Sequence, residues 1–314
     1  MHPRTLWGLY GLLKGEKIDL LDCHSGRDSY YGAYVKWLTG IAVVRSRHVT
    51  DRIKTDGMRG WMWRHGNHAI ITTADKIREM LLAQNLRPAE RIFVAPAGVD
   101  AERFSHTLSG HDLRQELGIP RERLIVANIG MIRRDKGQAY FVEAARILLD
   151  QGLPMTFIQV GDATTQTRAY KDEVMALAGE YLGNGIRFLG YHEDIENYIA
   201  LADLVAISSI KTEARTRLVG QATLMKKNVV ATEAGGLPEM ITHNETGLLC
   251  EPGSASSLAT AIMRLYRDPQ LANYLRENAF ARAQREMTFD RMMNAMLQYY
   301  LYALRFAGRS EFIP

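Results

Sequence analysis

Short apolar runs alternate with amphipathic segments along most of the chain. Runs such as Ile18–Asp22, Ile41–Arg45 and Ala69–Thr73 have the length of buried strands, whereas Tyr30–Leu38 and Ala74–Gln84 repeat apolar residues with helical spacing. Strands that alternate with helices are typical of parallel α/β sheets. The pattern therefore predicts an α/β protein.

A polar stretch, residues 105–122, interrupts this alternation, which resumes at the apolar run Leu124–Ile129. We interpret the polar stretch as a link between two domains. The length of 314 residues supports this, because a single core seldom serves so long a chain. Two α/β domains are therefore expected.

The composition is that of a globular protein in a reducing compartment. Apolar residues make up 46% of the chain and charged residues 24%. The two cysteines, Cys23 and Cys250, have no metal-binding or redox spacing, which favours the cytosol. No apolar run approaches a membrane span, and the first 17 residues are too short and too interrupted for a signal peptide. A cytoplasmic protein is expected.

Positive charge is concentrated in the first part of the chain. Residues 1–104 carry 16 Lys and Arg and 11 Asp and Glu, a net charge of +5, and the remainder carries 23 and 24, a net charge of −1. This excess suits an anionic membrane surface or a phosphorylated acceptor, and equally a mildly basic domain with neither role. Nucleic acid is not an expected partner, because no basic run with interleaved aromatics occurs.

A basic aromatic segment, Trp61–Trp63, lies between Arg59 and Arg64. Such a helix can lie on a membrane surface, so the inner face of the membrane is a second expected location. Packing of the aromatic residues in the core is the interpretation we favour.

A cationic turn follows the predicted strand Leu124–Ile129. Gly130 ends the strand, and Arg133, Arg134 and Lys136 follow within a few residues. Glycine allows a ligand to approach the main chain, and lysine and arginine bind phosphate. Neither the P-loop pattern nor the dinucleotide fingerprint is present, so a solvated charged turn remains an alternative.

A second candidate segment surrounds Glu213, which precedes a helix predicted from about Thr216 to Lys226. Arg215 and Arg217 lie at the start of this helix, where cations oppose the macrodipole unless an anion binds there. The alternative is that both arginines extend into water. Because ligands bind at the carboxyl ends of strands in open α/β sheets, Lys136 and the helix start are expected to contact one anionic group.

A histidine, His24, follows the first predicted strand in the segment LLDCHSGRD. A lone histidine is usually a structural hydrogen-bonding residue, and a role in a site is the alternative. His48 has a similar but weaker context.

Six blocks occur in an order that matches one family: APAGVDAERF (95–104), Gly130 with Lys136-Gly137, VGD (160–162), FLGY (188–191), ALADLVAISS (200–209) and VVATEAGGLPEMI (229–241). From about Ile18 to Arg305 the chain resembles the GT-B glycosyltransferases of family 4, which are retaining and use nucleotide sugars. The resemblance implies an α/β fold of GT-B type, with two Rossmann-like domains facing a cleft. It implies three parts: an N-terminally shortened acceptor domain at 1–105, a donor domain at 106–290, and a C-terminal helix at 291–314 that returns to the first domain.

The resemblance also implies roles for particular residues. Glu213 would lie at the reaction centre, and His24 would line the cleft near the transferred sugar, so these two are the expected catalytic residues. Lys136 would neutralise the diphosphate, and Gln221 would hold the ribose. The expected donor-binding residues are Gly130, Arg133, Arg134, Lys136, Thr216, Arg217, Leu218 and Gln221. No metal ligand and no cofactor is expected.

Three features depart from the family pattern. Gln221 replaces a second glutamate, which removes a charge near the ribose. Met131 stands where an arginine often follows the glycine, and Arg133 or Arg134 is the expected substitute. The first domain lacks roughly two β-α units, which would leave one edge of a parallel sheet bare.

The expected function is transfer of a hexosyl or other glycosyl group from a nucleotide sugar to a glycan or lipid-linked acceptor. The expected setting is bacterial polysaccharide or lipopolysaccharide synthesis. Two alternatives stay open: a truncated, non-catalytic protein that binds nucleotide sugars, and a GT-B epimerase that acts on the nucleotide sugar itself.

Overall fold

The structure is a computed structural model that describes residues 2–49, 51–211 and 216–309, apart from the side chain of His111. The strands are β1 (Leu20–Cys23), β2 (Ala42–Arg47), β3 (Ala69–Thr72), β4 (Ile92–Val94), β5 (Leu124–Ile129), β6 (Met155–Val160), β7 (Ile186–Gly190), β8 (Leu204–Ile207), β9 (Asn228–Thr232) and β10 (Leu248–Cys250).

The α-helices alternate with these strands. They are α1 (Pro3–Gly15), α2 (Gly26–Thr39), α3 (Gly57–His65), α4 (Asp75–Ala83), α5 (His111–Glu116), α6 (Gln138–Asp150), α7 (Arg168–Leu177), α8 (Ile195–Leu201), α9 (Arg217–Leu224), α10 (Leu237–Met240), α11 (Ala255–Arg267), α12 (Pro269–Glu286) and α13 (Phe289–Phe306). Among the described residues, none of these helices is long and apolar enough to span a membrane.

The chain forms two compact units. Unit 1 comprises residues 1–97 and 290–314, and unit 2 comprises residues 98–289. Unit 2 starts at residue 98 because the backbone around Val99 bonds within that unit: its N–H donates to Met287 at 2.9 Å, and its carbonyl accepts from Phe289 at 2.8 Å. The stretch 105–122, which we interpreted as a link, contains helix α5 and the buried Ile119 and belongs to unit 2.

Unit 1 contains a four-stranded parallel sheet in the order β1-β2-β3-β4. Within the described residues, β1 pairs with β2 alone. Helix α1, which the sequence patterns did not predict, packs beside these strands, and its buried Leu13 lies in a cluster with Val35 and Ile41. Proline at the first helical position favours the start of α1.

Helix α13 also belongs to unit 1 and packs on its sheet. Ala303 lies in a buried cluster with Val44 and Ala69 from the central strands. Two tyrosines of the helix bond to strand ends: the Tyr299 hydroxyl donates to the Val94 carbonyl at 3.0 Å, and the Tyr300 hydroxyl donates to Asp22 Oδ2 at 2.7 Å. The last helix is therefore a structural part of the first unit.

The basic aromatic segment of α3 lies largely in the core of unit 1. Met62 and Trp63 are buried, whereas Trp61 is 51% exposed. The core-packing interpretation is confirmed for two of these three side chains.

Unit 2 contains a six-stranded parallel sheet in the order β10-β9-β8-β5-β6-β7. Alternate residues of its strands face opposite sides, so that Ile125 and Ala127 lie in one buried cluster and Val126 lies in the other. Both faces are covered by helices, as parallel sheets require. Strand β5 pairs with both β6 and β8, and the strand order reverses at this point.

A glycine turn fixes the spacing between the ends of β5 and β8. Gly137 has a φ of +67°, and a Cβ atom added there would lie 2.0 Å from the carbonyl oxygen of Ser208. Such a contact with backbone cannot be relieved by rotating a side chain. Only glycine therefore fits between the two strand ends.

We expect Gly137→Ala to lower the free energy of unfolding more than Gly152→Ala does. Gly152 has a φ of +73° but no atom within 4 Å of an added Cβ, so its replacement costs only the left-handed conformation, about 1–2 kcal/mol. The clash at Gly137 adds about 1–3 kcal/mol. Denaturant unfolding of the two variants measures the difference, and equal losses would contradict the expected contact.

Candidate functional site

Unit 2 contains a cavity of about 320 Å³ at the carboxyl ends of β5, β6 and β7 and the start of α9. In open α/β sheets, ligands bind at this edge where the strand order reverses. The cavity is lined by Ile129, Gly130, Met131, Val160, Gly161, Asp162, Tyr191, His192, Ile195, Thr216, Arg217, Leu218 and Gln221. Five of the eight predicted donor-binding residues are therefore together in one cavity: Gly130, Thr216, Arg217, Leu218 and Gln221.

The glycines at the end of β5 and β6 leave the main chain accessible from this cavity. Gly130 has a φ of +152°, and an added Cβ would meet no atom within 4 Å. Its N–H donates to the Val160 carbonyl at 2.8 Å, which holds the turn in place. At Gly161, by contrast, an added Cβ would lie 2.2 Å from the Gly130 carbonyl oxygen. The two turns are therefore packed backbone against backbone.

The start of α9 presents polar groups to the cavity. Thr216 is the N-cap, and its hydroxyl accepts the Leu218 N–H at 3.2 Å. Arg217 is exposed and follows directly. Gln221 lies one turn after Arg217, and its amide has no hydrogen-bond partner among the described residues. Helix N–H groups, a cation and an amide thus border the same space.

Three polar side chains of the cavity were not predicted from the sequence. Tyr191 and His192 follow β7. The Tyr198 hydroxyl lies 2.9 Å from the ring nitrogens of His192 and holds that ring in place. Asp162 follows β6, and hydrogen bonds from Lys171 and from the Ala163 N–H hold the pKa of its carboxyl below the ordinary value. These three residues could have been found from the sequence because they closely follow predicted strands. The carboxyl ends of those strands lie at the same edge of the sheet as Gly130.

Arg133 and Arg134 do not line the cavity that holds Gly130. They line a neighbouring cavity of about 380 Å³, together with Tyr170 and Lys211. Both are ion-paired, Arg133 with Asp135 at 2.6 Å and Arg134 with Glu173 at 2.7 Å.

Lys136 lines neither cavity, and its backbone joins the turn after β5 to the end of β8. It ends a short 3₁₀ segment, Arg134–Lys136, and is partly buried. Its carbonyl accepts from the Ser208 hydroxyl at 2.9 Å, and Asn128 Nδ2 donates to the same hydroxyl at 3.1 Å. The turn after β5 is thereby held against the end of β8. Glu213 and Arg215 lie outside the described residues.

His24 lies in unit 1, in a network that begins at a partly buried carboxylate. Asp22, 11% exposed, accepts from the Ser46 and Tyr300 hydroxyls and lies 3.3 Å from His24 Nε2. His24 Nδ1 lies 2.9 Å from His48 Nε2, and the two rings are stacked. With a side chain that is 54% exposed, His24 is oriented by its neighbours and accessible to a ligand.

Within the described part of the chain, no three His, Cys, Asp or Glu side chains are grouped so as to hold a metal ion. The polar groups of the unit 2 cavity are instead backbone N–H groups, an arginine, an amide, a histidine and a carboxylate.

Comparison with known families accounts for both units. The family described as Glycosyl transferases group 1 matches residues 111–282, which is more than half of the chain. The chain belongs to this family. Glycosyltransferase Family 4 matches residues 1–103. The group 1 glycosyltransferase fold is of the GT-B type, with two Rossmann-like parallel α/β domains, which confirms the fold expected from the resemblance.

Two curated relatives and one solved structure are similar to this glycosyltransferase. Alpha-D-kanosaminyltransferase of Streptomyces kanamyceticus is 27% identical over 81% of this chain and 69% of its own. UDP-Gal:alpha-D-GlcNAc-diphosphoundecaprenol alpha-1,3-galactosyltransferase of Escherichia coli is 23% identical over 88% and 73%. Anabaena Alr3699/HepE, solved in complex with UDP, has a TM-score of 0.81 at 25% identity, over 94% of this chain and 81% of its own.

We expect Thr216→Val to lower the free energy of unfolding by about 1 kcal/mol, because valine keeps the shape of threonine and loses the oxygen that caps α9. Thr216→Ser keeps that oxygen and is the matched control. Denaturant unfolding of both variants provides the test. A serine variant as unstable as the valine variant would show that the cap is not the source of the loss.

Proposed function

We propose that the chain is a retaining, metal-independent glycosyltransferase. It moves a sugar from a nucleotide sugar to a glycan or lipid-linked acceptor in cell-envelope polysaccharide or lipopolysaccharide synthesis, at the cytoplasmic face of the membrane. The observation that carries the proposal is the cavity of unit 2, which is lined by Gly130 after β5 and by Arg217 and Gln221 of α9. This cavity lies in the part of the chain that matches the group 1 glycosyltransferases.

The cavity has groups suited to each part of a nucleotide sugar. The N–H groups at the start of α9 and the guanidinium of Arg217 would receive the diphosphate, with Lys136 on the adjoining turn. The unpartnered amide of Gln221 would bond to the ribose hydroxyls. Anabaena Alr3699/HepE, which is similar to this chain, was solved in complex with UDP, and this supports a nucleotide as part of the ligand.

Charge stabilisation is the main catalytic contribution in this scheme. As the bond between the sugar and the diphosphate breaks, negative charge develops on the leaving phosphate oxygen. Preorganised N–H groups and cations stabilise that charge without rearranging, which is often the largest single catalytic effect. The acceptor hydroxyl attacks on the face that the diphosphate leaves, and its proton passes to the leaving oxygen.

The two expected catalytic residues would act at the sugar. Glu213 follows β8 and precedes α9 along the chain, so it would stabilise the positive charge that develops on the sugar. His24 would line the acceptor side, with its ring oriented by the partly buried Asp22.

The similarity to the galactosyltransferase of Escherichia coli supports an acceptor carried on a lipid. The name of that enzyme specifies a sugar linked to diphosphoundecaprenol as its acceptor. We propose for this chain the same class of acceptor, a lipid-linked sugar, but not the particular sugar that the name specifies.

We expect Glu213→Gln to lower the rate of sugar transfer by about 10²-fold or more, because the charge at the reaction centre is lost while the size of the side chain is kept. The matched control is Glu122→Gln, an exposed carboxylate of the same unit. Transfer from a radiolabelled donor is the measurement. Wild-type transfer by Glu213→Gln would show the mechanistic assignment to be wrong.

Nucleotide affinity tests the role of Gln221. A thermal-shift panel of UDP-, GDP- and ADP-sugars first identifies the nucleotide. We expect Gln221→Leu to lower the affinity for that nucleotide about tenfold, because one hydrogen bond is lost. We expect Gln221→Glu to raise the affinity several-fold, because the carboxylate forms a charge-assisted hydrogen bond. Calorimetric titration measures both, and a leucine variant with unchanged affinity would place the ribose elsewhere.

Incubation of the donor alone separates the proposal from its rivals. Slow donor hydrolysis with no epimer is the outcome expected for a transferase. Binding without hydrolysis or transfer would favour a non-catalytic protein, and conversion to an epimeric nucleotide sugar would favour an epimerase.

A further inference from the structure

A third cavity, about 380 Å³ in volume, lies wholly within unit 1 and is lined by five cations. The positively charged side chains at its wall are Arg45, Arg47, Arg52, Lys54 and Arg59. No carboxylate is among the lining residues, whose other members include Tyr30 and Trp63. We call this space the cationic pocket.

The fold brings these cations together from three consecutive segments. Arg45 and Arg47 are two residues apart on β2, so they project from the same face of the strand near its carboxyl end. Arg52 and Lys54 lie in the segment that follows β2, and Arg59 lies in the first turn of α3. A cation in the first turn opposes the helix macrodipole and adds to the positive potential.

The positive charge of the cationic pocket is only partly offset within the described part of the chain, where Asp28 acts on Arg45 and Asp51 acts on Arg47. None of its five cations forms an ion pair with a carboxylate there. Arg47 donates from Nη2 to the Asp51 carbonyl at 2.7 Å, and its Nε is buried without a hydrogen-bond partner. A buried donor that lacks a partner costs free energy, which a bound acceptor atom would recover.

Partial burial strengthens the repulsion among these cations. Burial, followed by the neighbouring charge of Arg47, lowers the pKa of Arg45 to about 10. Burial also lowers the pKa of Arg47. The Arg45 guanidinium is held 3.3 Å from the centre of the Trp63 ring, so its position is fixed before any ligand arrives. The arrangement is a preorganised receptor for an anion.

The charge and the volume indicate which anion fits. A single carboxylate offers one charge and two acceptor oxygens to five cations, whereas a phosphate group carries up to two charges and three terminal oxygens, and a diphosphate carries more of both. The volume lies in the range of cavities that hold small ligands. The diphosphate of the donor has its own candidate site in unit 2, so an anion site in unit 1 suits the other substrate.

The cationic pocket also adjoins the catalytic histidine along the chain. Its lining includes Gly26 and Tyr30 at the start of α2, which directly follows His24 and Ser25. Strands β1 and β2 are paired, and both end at this edge of the sheet. A group bound in the pocket would therefore position the remainder of its molecule close to His24.

We propose that the cationic pocket binds the phosphate or diphosphate group of a phosphorylated acceptor and so places its sugar hydroxyl near His24. This proposal rests on the sugar transfer proposed above. It makes the acceptor an anionic molecule, either a lipid-linked diphosphate or a soluble sugar phosphate.

Tryptophan fluorescence provides a direct test on the full-length chain. All four tryptophans, Trp7, Trp37, Trp61 and Trp63, lie in unit 1, so the signal reports on that unit. Excess UDP first occupies the cavity of unit 2, and inorganic pyrophosphate is then titrated. We expect a saturable change in the wild-type protein.

The pocket variant is Arg52→Gln/Lys54→Gln/Arg59→Gln, which spares the partly buried Arg45 and Arg47 and replaces exposed side chains only. We expect it to bind pyrophosphate about tenfold more weakly.

The control variant, Arg4→Gln/Lys17→Gln/Arg64→Gln, removes the same charge from exposed positions of unit 1 outside the pocket, one of them on α3. It should remain within about twofold of wild type, because screened charges at a distance contribute little. Equal affinities of the two variants, or no saturable binding to the wild type, would overturn the proposal. A wild-type tryptophan emission maximum and a wild-type far-ultraviolet circular dichroism spectrum verify that unit 1 of each variant is folded.

Two further arms identify the source of the phosphate. Sedimentation with phosphatidylcholine vesicles, with and without phosphatidylglycerol, tests an anionic membrane surface. Vesicle binding lost in the pocket variant, without pyrophosphate binding to the wild type, would make the region a membrane contact and overturn the proposal. If the wild type binds pyrophosphate, competition experiments then identify the acceptor. Competition by a soluble sugar 1-phosphate supports a soluble acceptor, whereas competition by a short-chain prenyl diphosphate alone supports a lipid-linked acceptor.

The test is independent of the proposed sugar transfer. Pyrophosphate titration needs no turnover, so it is interpretable even if wild-type protein neither transfers nor hydrolyses a donor. Conversely, normal donor hydrolysis by the wild type with no pyrophosphate binding would remove the pocket proposal and leave the proposed function in place.

Discussion

The close approach of the β5 turn to the end of β8 is the constraint on which the unit 2 site depends. Gly137 lies against the Ser208 carbonyl, and the Ser208 hydroxyl joins the Lys136 carbonyl to Asn128. These contacts fix the two strand ends at the reversal of strand order. The β5 turn borders the cavity, so this backbone packing holds one of its walls in place.

The sequence predicted the elements of this site better than it predicted the partners of its side chains. Turns at Gly130 and Gly137 and a helix near Thr216 could be recognised because glycine and capping residues act locally. The ion pairs of Arg133 with Asp135 and of Arg134 with Glu173 could not be predicted, because they depend on how the turn and α7 are placed. Tyr191 and His192 could be found only from the shared edge of the sheet.

In unit 1 the sequence predicted the strands but not the features that surround them. Helix α1 has apolar residues on several sides, with Trp7 and Leu12 exposed, and its packing depends on the contact of Leu13 with the cluster of Val35 and Ile41. The cations of the cationic pocket are spread over Arg45 to Arg59 and resemble an ordinary basic stretch in the sequence. That these cations line one cavity becomes clear only from the positions of strand β2 and the start of α3 in the structure.

The contact of Tyr300 with Asp22 has a consequence for the order in which the chain folds. Unit 2 is continuous in sequence, whereas unit 1 is completed by α13, which is translated after all of unit 2. Domains fold as units during synthesis, usually from the N-terminus onward. Unit 1 departs from that simple order, because residues 1–97 can gain their last helix only after all of unit 2 has been synthesised, and the carboxylate beside His24 can contact its tyrosine partner only then.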